Sequence, residues 1–374
     1  MTISPKALLK KSSFIYSIVI FFKDKEFRKS YLRYLNKNPK KKSRTEVKKD
    51  LKLLIKYWNC PSQYYYLYDL YIKKLPEDQL LDYIPPYYYY NIYWEKRNKH
   101  VNKKLFESKI FQDSLFKVHK IPSIKILAII KSRVVHNCEN LPMTIYDLLK
   151  NYLKYDNSVL VCKPEFGAGG KGIILVSRNK GVYLVNNKPA AEEKILSYFG
   201  RNENYIVQEQ FVQSKEMARI NNSSVNTLRI FTQIKDNKVV LPACILRMGL
   251  NNSFVDNLSQ GGLMNIVNVD NGFLSDYALK GLGDKRYNEH PDSKYVFKNN
   301  KINNWEEIKS EIIKYAHLLK ECKDIGWDIA VGEKGFKVLE INISHGMYYS
   351  QILYGGMRKI LGIYPELYNG NNDV

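Results

Sequence analysis

Two stretches of this chain carry residue types and spacings that can do chemistry. The first is Val159–Gly172, VLVCKPEFGAGGKG, where an apolar run ends in Lys163 and Pro164 and enters a loop with Gly167, Gly169, Gly170 and Gly172. Glycine lets backbone N–H groups turn inward and approach an oxyanion closely, and Lys163 and Lys171 add positive charge on either side. The pattern suits gripping phosphates, and it also fits a plain strand and turn. It is neither the P-loop, which needs GxxxxGK followed by Ser or Thr, nor the GxGxxG fingerprint. The second stretch is Trp327–Ile343, where Asp328 interrupts one apolar run and Glu340 and Asn342 interrupt the next. Glu340 and Asn342 are two apart, so in a strand they share a face, with Leu339, Ile341 and Ile343 on the other, core side. GEKG at 332–335 reads as a hairpin turn, so Asp328 can lie cross-strand from Glu340. Three hard oxygen ligands on one face suit Mg2+, and the alternative is the exposed polar face of an edge hairpin. Arg229 and Arg247 lie in apolar, strand-like NTLRIF and CILRMG. An arginine there needs an anionic partner, which can be a structural carboxylate or a phosphate.

Strands must position these groups. Strand-like runs occur at 125–130, 159–163, 172–177, 205–211, 226–234, 239–250, 327–331 and 337–343. Helical rhythm is seen at 104–120 and 190–199, and at 305–320 with Asn304 as N-cap and Glu307 completing a capping box. Ahead of them, residues 1–35 read as basic helix and 36–44 as loop, and Thr45 caps a helix to Tyr57. A tyrosine-dense section follows, including Tyr64–Tyr66 and Tyr87–Tyr90. Tyrosine with lysine can stack on nucleic-acid bases. Packing of amphipathic rings with hydroxyls at the rim is the better reading, since no nucleic-acid motif is present. The expected class is α+β: a basic, tyrosine-rich helical region at 1–104 and a body at 105–374, divided into 105–207 and 208–374.

The 374 residues carry a net charge of +22. It is concentrated at the front: residues 1–150 hold 31 basic and 13 acidic groups, against 28 and 24 in the remainder. Such a front suits an anionic membrane surface or an acidic substrate, or is a solvated lysine-rich face. Five scattered cysteines without a CxxC pair argue for a reducing compartment and against a disulfide framework or a zinc site. Phe14–Phe22, FIYSIVIFF, is too short to span a bilayer, which takes about 20 residues. It reads as a buried or membrane-surface helical segment.

In this order, KPEFGAGGKG, VQEQF, NTLRIFT, LRMG, VDNLSQGG, HPD and GWDIAV…VLEIN resemble the ATP-grasp superfamily. Within it, the chain is similar to the sugar-transfer-associated proteins of bacterial surface-polysaccharide clusters. The resemblance covers about residues 80–365. It implies an ATP-grasp fold, in which two α+β subdomains grip ATP. It assigns Lys163 to the phosphates and adenine, and Gly167, Ala168, Gly169, Gly170 and Lys171 to a lid over the phosphates. Glu209, Gln210 and Phe211 match the hinge that reads adenine, and Glu216 a ribose-contacting acid. Asp328, Glu340 and Asn342 match Mg2+ ligands, and Arg229 and Arg247 the arginines near the transferred phosphate. Lys109 is similar in position to the first nucleotide lysine, although the usual preceding Asp is Ser108. ISHG at 343–346 departs from the common continuation, on the substrate side.

The activity implied is an ATP-dependent carboxylate–amine ligase acting through an acylphosphate, with a sugar acid or amino acid as substrate in surface-polysaccharide synthesis. A kinase acting on a sugar hydroxyl and a non-catalytic nucleotide- or glycan-binding component are the alternatives. Asn257, Gln260, Gly261 and Gly262 form a polar turn that could hold the acceptor. His290 and Asp292 are candidate substrate contacts, with a hydrogen-bonded structural histidine as the alternative. The expected location is cytoplasmic, at the inner face of the membrane where lipid-linked glycans are built.

Overall fold

The structure, a computed structural model, describes residues 22, 25–36, 38–167, 169–254, 256, 258, 261–281 and 285–368. The chain divides into two compact units, one built from residues up to His100 together with the stretch from Gly346, the other mainly from Val101–Gly281 and Lys285–His345. Of the apolar run Phe14–Phe22, all but the exposed Phe22 lies outside the described residues. Among the described residues no helix is long and apolar enough to cross a membrane.

In the first unit, helix α1 (Lys25–Leu35) precedes α2 (Arg44–Trp58). The cap of α2 is Ser43 rather than Thr45: its hydroxyl accepts from the Glu46 amide while Glu46 reaches back to the Ser43 amide, satisfying two donors that the first turn leaves open. Val47, Leu54 and Trp58 face inward. Arg44, Lys48, Lys52 and Lys56, four residues apart, form an exposed basic stripe on α2. Many of the tyrosines sink below the rim. Tyr64, Tyr65, Tyr68, Tyr83, Tyr88, Tyr89 and Tyr93 are buried. Their rings pack at angles, as in Tyr68–Tyr83 at 5.3 Å and 39° and Tyr64–Tyr68 at 6.1 Å and 63°. Burial pushes the Tyr64 and Tyr68 hydroxyls well above the ordinary tyrosine range.

The late part of the chain completes this unit. Helix α8 (Tyr348–Tyr354) buries Gln351, whose amide accepts from Ile84 N at 2.5 Å and donates to Ile84 O at 3.0 Å and Tyr68 Oη at 2.8 Å. Nearby Arg358 pairs with Asp78 at 2.7 Å and Asp82 at 3.0 Å.

Two antiparallel sheets make the second unit. The first contains β1 (Ile126–Lys131), β2 (Val134–Asn137), β3 (Pro142–Met143), β4 (Val159–Pro164), β5 (Ile174–Asn179), β6 (Val182–Val185), β7 (Lys188–Pro189) and β8 (Tyr205–Glu209), in the order 3-2-1-8-4-5-6-7. Its core buries Leu160, Cys162, Val176 and Val207 against Leu148 and Leu149 of helix α5 (Ile145–Tyr152). The second contains β9 (Thr227–Lys235), β10 (Lys238–Met248), β11 (Leu263–Ile266), β12 (Ala278–Leu279), β13 (Arg286–Tyr287), β14 (Asp324–Gly332) and β15 (Gly335–Asn342), in the order 13-12-11-10-9-14-15. Central β9 and β14 are buried almost throughout, and Trp327 is fully enclosed with its indole donating to Thr232 Oγ1 at 2.8 Å. A side chain of that kind contributes about 1.5–3 kcal/mol by burial alone.

Three local expectations change. The helix expected over 104–120 is broken into α3 (Lys103–Phe106) and α4 (Lys109–Val118). Ser108 caps α4, its Oγ accepting from Phe111 N at 3.3 Å. Residues 192–198 are a 3-10 rather than an α-helix. Asn304, before helix α7 (Trp305–Leu318), makes no side-chain cap; its φ of 55° and ψ of 27° are left-handed, a conformation that asparagine tolerates.

Candidate active site

The hairpin β14–β15 closes through the two residues between Gly332 and Gly335, and Asp328 pairs with Glu340. Regular alternation breaks on the way: Ile329 faces Val338, and the next pair is Asp328 with Glu340, leaving Leu339 as an extra residue on β15. Val338 and Ile341 are therefore in the core, while Leu339, expected there, joins Glu340 and Asn342 on the wall of a cleft.

Strand β9 lies on the other side of β14 and places Arg229 opposite Asp328. Arg229 forks onto both carboxylate oxygens, with Nη2–Oδ2 at 2.9 Å, and Arg247 from β10 reaches Oδ2 at 3.0 Å. Burial alone would raise the Asp328 pKa. The two guanidinium groups outweigh it and hold the carboxyl below its usual range. Arg247 also donates to Thr227 Oγ1 at 2.7 Å and lies 3.5 Å from Asp256. Desolvation raises the Asp256 pKa, opposed by Arg247 and by the Thr227 hydroxyl.

The first sheet supplies the facing cations. Lys163, at the end of β4, is placed with its ammonium in a desolvated position that lowers its pKa; Glu340 opposes the shift and Lys109 adds to it. Beyond Pro164 the chain turns at Gly169, Gly170 and Gly172 with positive φ. At Gly172, φ is 74° and a Cβ would stand 2.9 Å from Pro164 Cγ, so only glycine fits without displacement. Lys109 opens α4, and its Nζ donates to Gly167 O at 2.9 Å and lies 3.8 Å from Glu340. Ser108 does more than cap. Its Oγ lies 2.5 Å from Glu165 Oε1, and Asn204 donates to Glu165 Oε2 at 2.8 Å. The helix start and the base of the glycine loop are thus tied together.

These groups surround a cleft between the sheets. One compartment, about 320 Å3, has Val161, Ile173 and Leu175 on its apolar side and Glu209, Gln210 and Phe211 at the crossing from β8 into the second sheet. Its neighbour, about 170 Å3, is lined by Lys109, Lys163, Lys171, Gly167, Gly169 and Gly170 on one side. Arg229, Arg247, Asp256, Asp328, Glu340 and Asn342 line the other. An apolar slot opening into a polar, mainly cationic one matches a planar ring carrying phosphates.

Other expected residues are placed elsewhere. Glu216 is exposed on helix α6 (Lys215–Ile220) and does not line these compartments. His290 is fully buried, its Nε2 at 2.9 Å from Gly249 O and its Nδ1 accepting from Asp292 N at 3.2 Å. These bonds fit the hydrogen-bonded structural histidine, and Asp292 is exposed. Gly261 and Gly262 do not line the compartments, and Ala168, Asn257 and Gln260 lie outside the described residues. Thr227 and Asp256 are site residues that sequence reasoning did not single out. Asp256 sat inside VDNLSQGG, a motif already noted, and Thr227 two residues before Arg229 on the same strand face was the available signal.

The sequence profile of the sugar-transfer associated ATP-grasp family matches residues 88–361. The chain belongs to that family. No curated protein matches the ATP-grasp chain. Among solved structures it is similar to D-alanyl-alanine synthetase A from Vibrio cholerae, with 10% identity and a TM-score of 0.40 over 70% of this chain and 64% of that one. D-alanine–D-alanine ligase from Helicobacter pylori gives 14% identity and 0.39 over 70% and 61%. Carboxyaminoimidazole ribonucleotide synthase from Aspergillus clavatus, complexed with ATP, gives 11% and 0.37 over 69% and 52%. The chain spans less than two thirds of each of these proteins, and at such scores the family assignment rests on the profile.

Among the described residues, no group of three or more His, Cys, Asp and Glu side chains is placed to hold a metal. The ATP-grasp chain instead offers two carboxylates and an amide. An ionised carboxylate has about four lone-pair positions. Arg229 and Arg247 use three on Asp328, leaving one. The Asn342 amide nitrogen is buried without a hydrogen-bond partner, so no protein group fixes which way its oxygen points. This donor set fits Mg2+, a hard cation that keeps several ligands from water and phosphate.

Proposed function

We propose that this ATP-grasp chain is an ATP- and Mg2+-dependent carboxylate–amine ligase that joins an amine to a sugar acid or similar carboxylate in surface-polysaccharide synthesis. The observation that carries the reading is the gathering of Lys163, the glycine loop, Arg229, Arg247 and the Asp328–Glu340–Asn342 set around one cleft. The family's association with sugar transfer supports the substrate class.

In this mechanism the residues position and neutralise. Glu209, Gln210 and Phe211 border the adenine slot, and Lys163, Lys171 and the loop amides hold the phosphates. Asp328, Glu340 and Asn342 would hold Mg2+, whose charge offsets that of the phosphates. The substrate carboxylate attacks the γ-phosphorus, a new O–P bond forms, the β–γ bridge breaks and ADP leaves. Arg229 and Arg247 neutralise the charge on the transferring group. An amine then attacks the acyl carbon, loses a proton, and expels phosphate. No protein nucleophile is required. The exposed basic stripe on α2 supports peripheral docking on the anionic cytoplasmic face of a membrane.

The test is ADP release from the purified chain over uronic acids crossed with amino acids. A ligase requires both substrates and frees phosphate, whereas a kinase leaves phosphate on its product. Glu340→Ala and Lys163→Ala should each lower kcat by about a hundredfold or more, the scale of losing a charge-stabilising group. Wild-type turnover in both variants would remove the catalytic assignment.

A further inference from the structure

A third cavity, about 330 Å3, lies on the far side of the same wall. It shares Lys109, Gly167, Glu340 and Asn342 with the phosphate-side compartment, and is otherwise formed by the α3–α4 corner and by Ile341–Ser344. We propose that this cavity receives the acceptor acid, a single hydroxylated monosaccharide unit whose carboxylate points at Lys109; the proposal rests on the ligase reading.

Size comes first. At the lower end of the roughly 300–1,000 Å3 range of ligand pockets, the cavity suits one sugar unit rather than a polymer segment. Its chemistry is graded along its length. At the shared wall, Lys109 spends one N–H on Gly167 O, while Glu340 at 3.8 Å is beyond hydrogen-bonding distance. An ammonium has three N–H groups, so two remain for a carboxylate brought up from this side. Away from the wall, Phe106 presents a half-buried ring held edge-on to Phe111 at 5.3 Å and 73°. Such a ring can lie against the C–H face of a sugar. Glu107 and Ser344 offer an acceptor and a hydroxyl for sugar O–H groups.

The wall itself is braced. Gln112 donates to Phe106 O at 2.7 Å and Ile341 O at 3.0 Å, and accepts from Ile341 N at 2.8 Å. The corner carrying Phe106 is therefore fastened to the strand carrying Glu340, and the two cavities keep a common boundary. A carboxylate held there sits next to the compartment assigned to the phosphates, with Lys109 facing both. Ser344, within the ISHG stretch, also lines this cavity.

Saturation-transfer NMR on the full chain, with D-glucuronate as probe and D-glucose as neutral control, tests the proposal. Glucuronate should bind about tenfold more tightly than glucose, equivalent to ~1.4 kcal/mol from the charged contact. Ser344→Trp, which fills the cavity, should abolish the signal, and Phe106→Ala should weaken it, while both keep wild-type MgADP affinity by calorimetry. If Ser344→Trp does not fold, Phe106→Ala decides. Absence of glucuronate binding by the wild type, no preference over glucose, or equal binding by the variants overturns the proposal. Coupled ADP release separates the two readings. Glucuronate binding in the cavity with no amine-dependent turnover would sink the ligase and leave the pocket. Turnover of glucuronate with unchanged KM in Phe106→Ala and Ser344→Trp would sink the pocket and leave the ligase.

Discussion

His345 gives the body of the protein an acid sensitivity that can be calculated. It is buried, its ring packed edge-on to Phe231 at 4.6 Å, close to the backbone of Gly326. Desolvation, with Arg229 adding to it, lowers its pKa from 6.5 to about 4. The unfolded chain therefore binds a proton between pH 6.5 and 4 that the folded chain does not. Stability is fully present above pH 6.5 and falls as pH drops through that window. The loss from this group is about 2 kcal/mol at pH 5 and about 3 kcal/mol at pH 4. Asp328, held below 3.8, acts only at lower pH, and Lys163, lowered by desolvation, acts alike in wild type and variant. Asp256, raised by burial, works in the opposite sense in wild type and variant alike. The measurement is hydrogen exchange of β14 peptides across a urea series at pH 7 and pH 5, for wild type and His345→Gln. The substitution can change absolute stability, but the loss between the two pH values should be about 2 kcal/mol smaller in the variant. An equal loss in both proteins would refute the reasoning that the folded chain holds this imidazole neutral.

Gly172→Ala combines a left-handed backbone cost of about 1–2 kcal/mol with the Pro164 contact, so its Kd for MgADP should rise about fivefold to thirtyfold by calorimetry. An unchanged Kd would separate the backbone of this loop from nucleotide binding. Gln351→Ala strands the Ile84 amide and carbonyl and removes the Tyr68 partner, at about 1–3 kcal/mol for each unmet buried group. Urea unfolding followed by exchange in the tyrosine-rich unit should show a loss of at least about 3 kcal/mol, and a loss under about 1 kcal/mol would mean that the amide is not the clasp described.

What was legible in the sequence were features written in short spacings. Lys163 and the glycines lie in one continuous stretch, and Glu340 and Asn342 show by period two that they share a face. Arg229 and Arg247 announced a need for anions, and the structure supplies Asp328, itself one of the expected Mg2+ ligands. Less legible were bonds between distant residues. Ser108 looked like a defect against the family pattern, because its partner Glu165 is 57 positions away. The break between α3 and α4 follows from the same serine, whose preference for capping outweighed an apolar stripe continuous through the corner. The tyrosine section was right in kind, since rings pack together. Its depth was missed because hydroxyls were assumed to need water, and Gln351, some 280 residues later, meets the Tyr68 hydroxyl instead.

The extra residue on β15 has a consequence for counting. In an antiparallel hairpin closed by two residues, facing positions are separated by odd numbers, as in the pairs Gly332–Gly335, Val331–Phe336 and Ile329–Val338. Asp328 and Glu340 are twelve apart, an even interval that uninterrupted pairing cannot bring face to face. Given the two-residue closure, the even interval is the mark along the chain of the extra residue at Leu339. It also sets a rule for any relative in which the two acids are to meet: shortening the tip must remove residues in pairs, and a single deletion at position 339 would leave Asp328 facing the same acid only by abolishing the side-by-side presentation of Leu339 and Glu340 to the cleft.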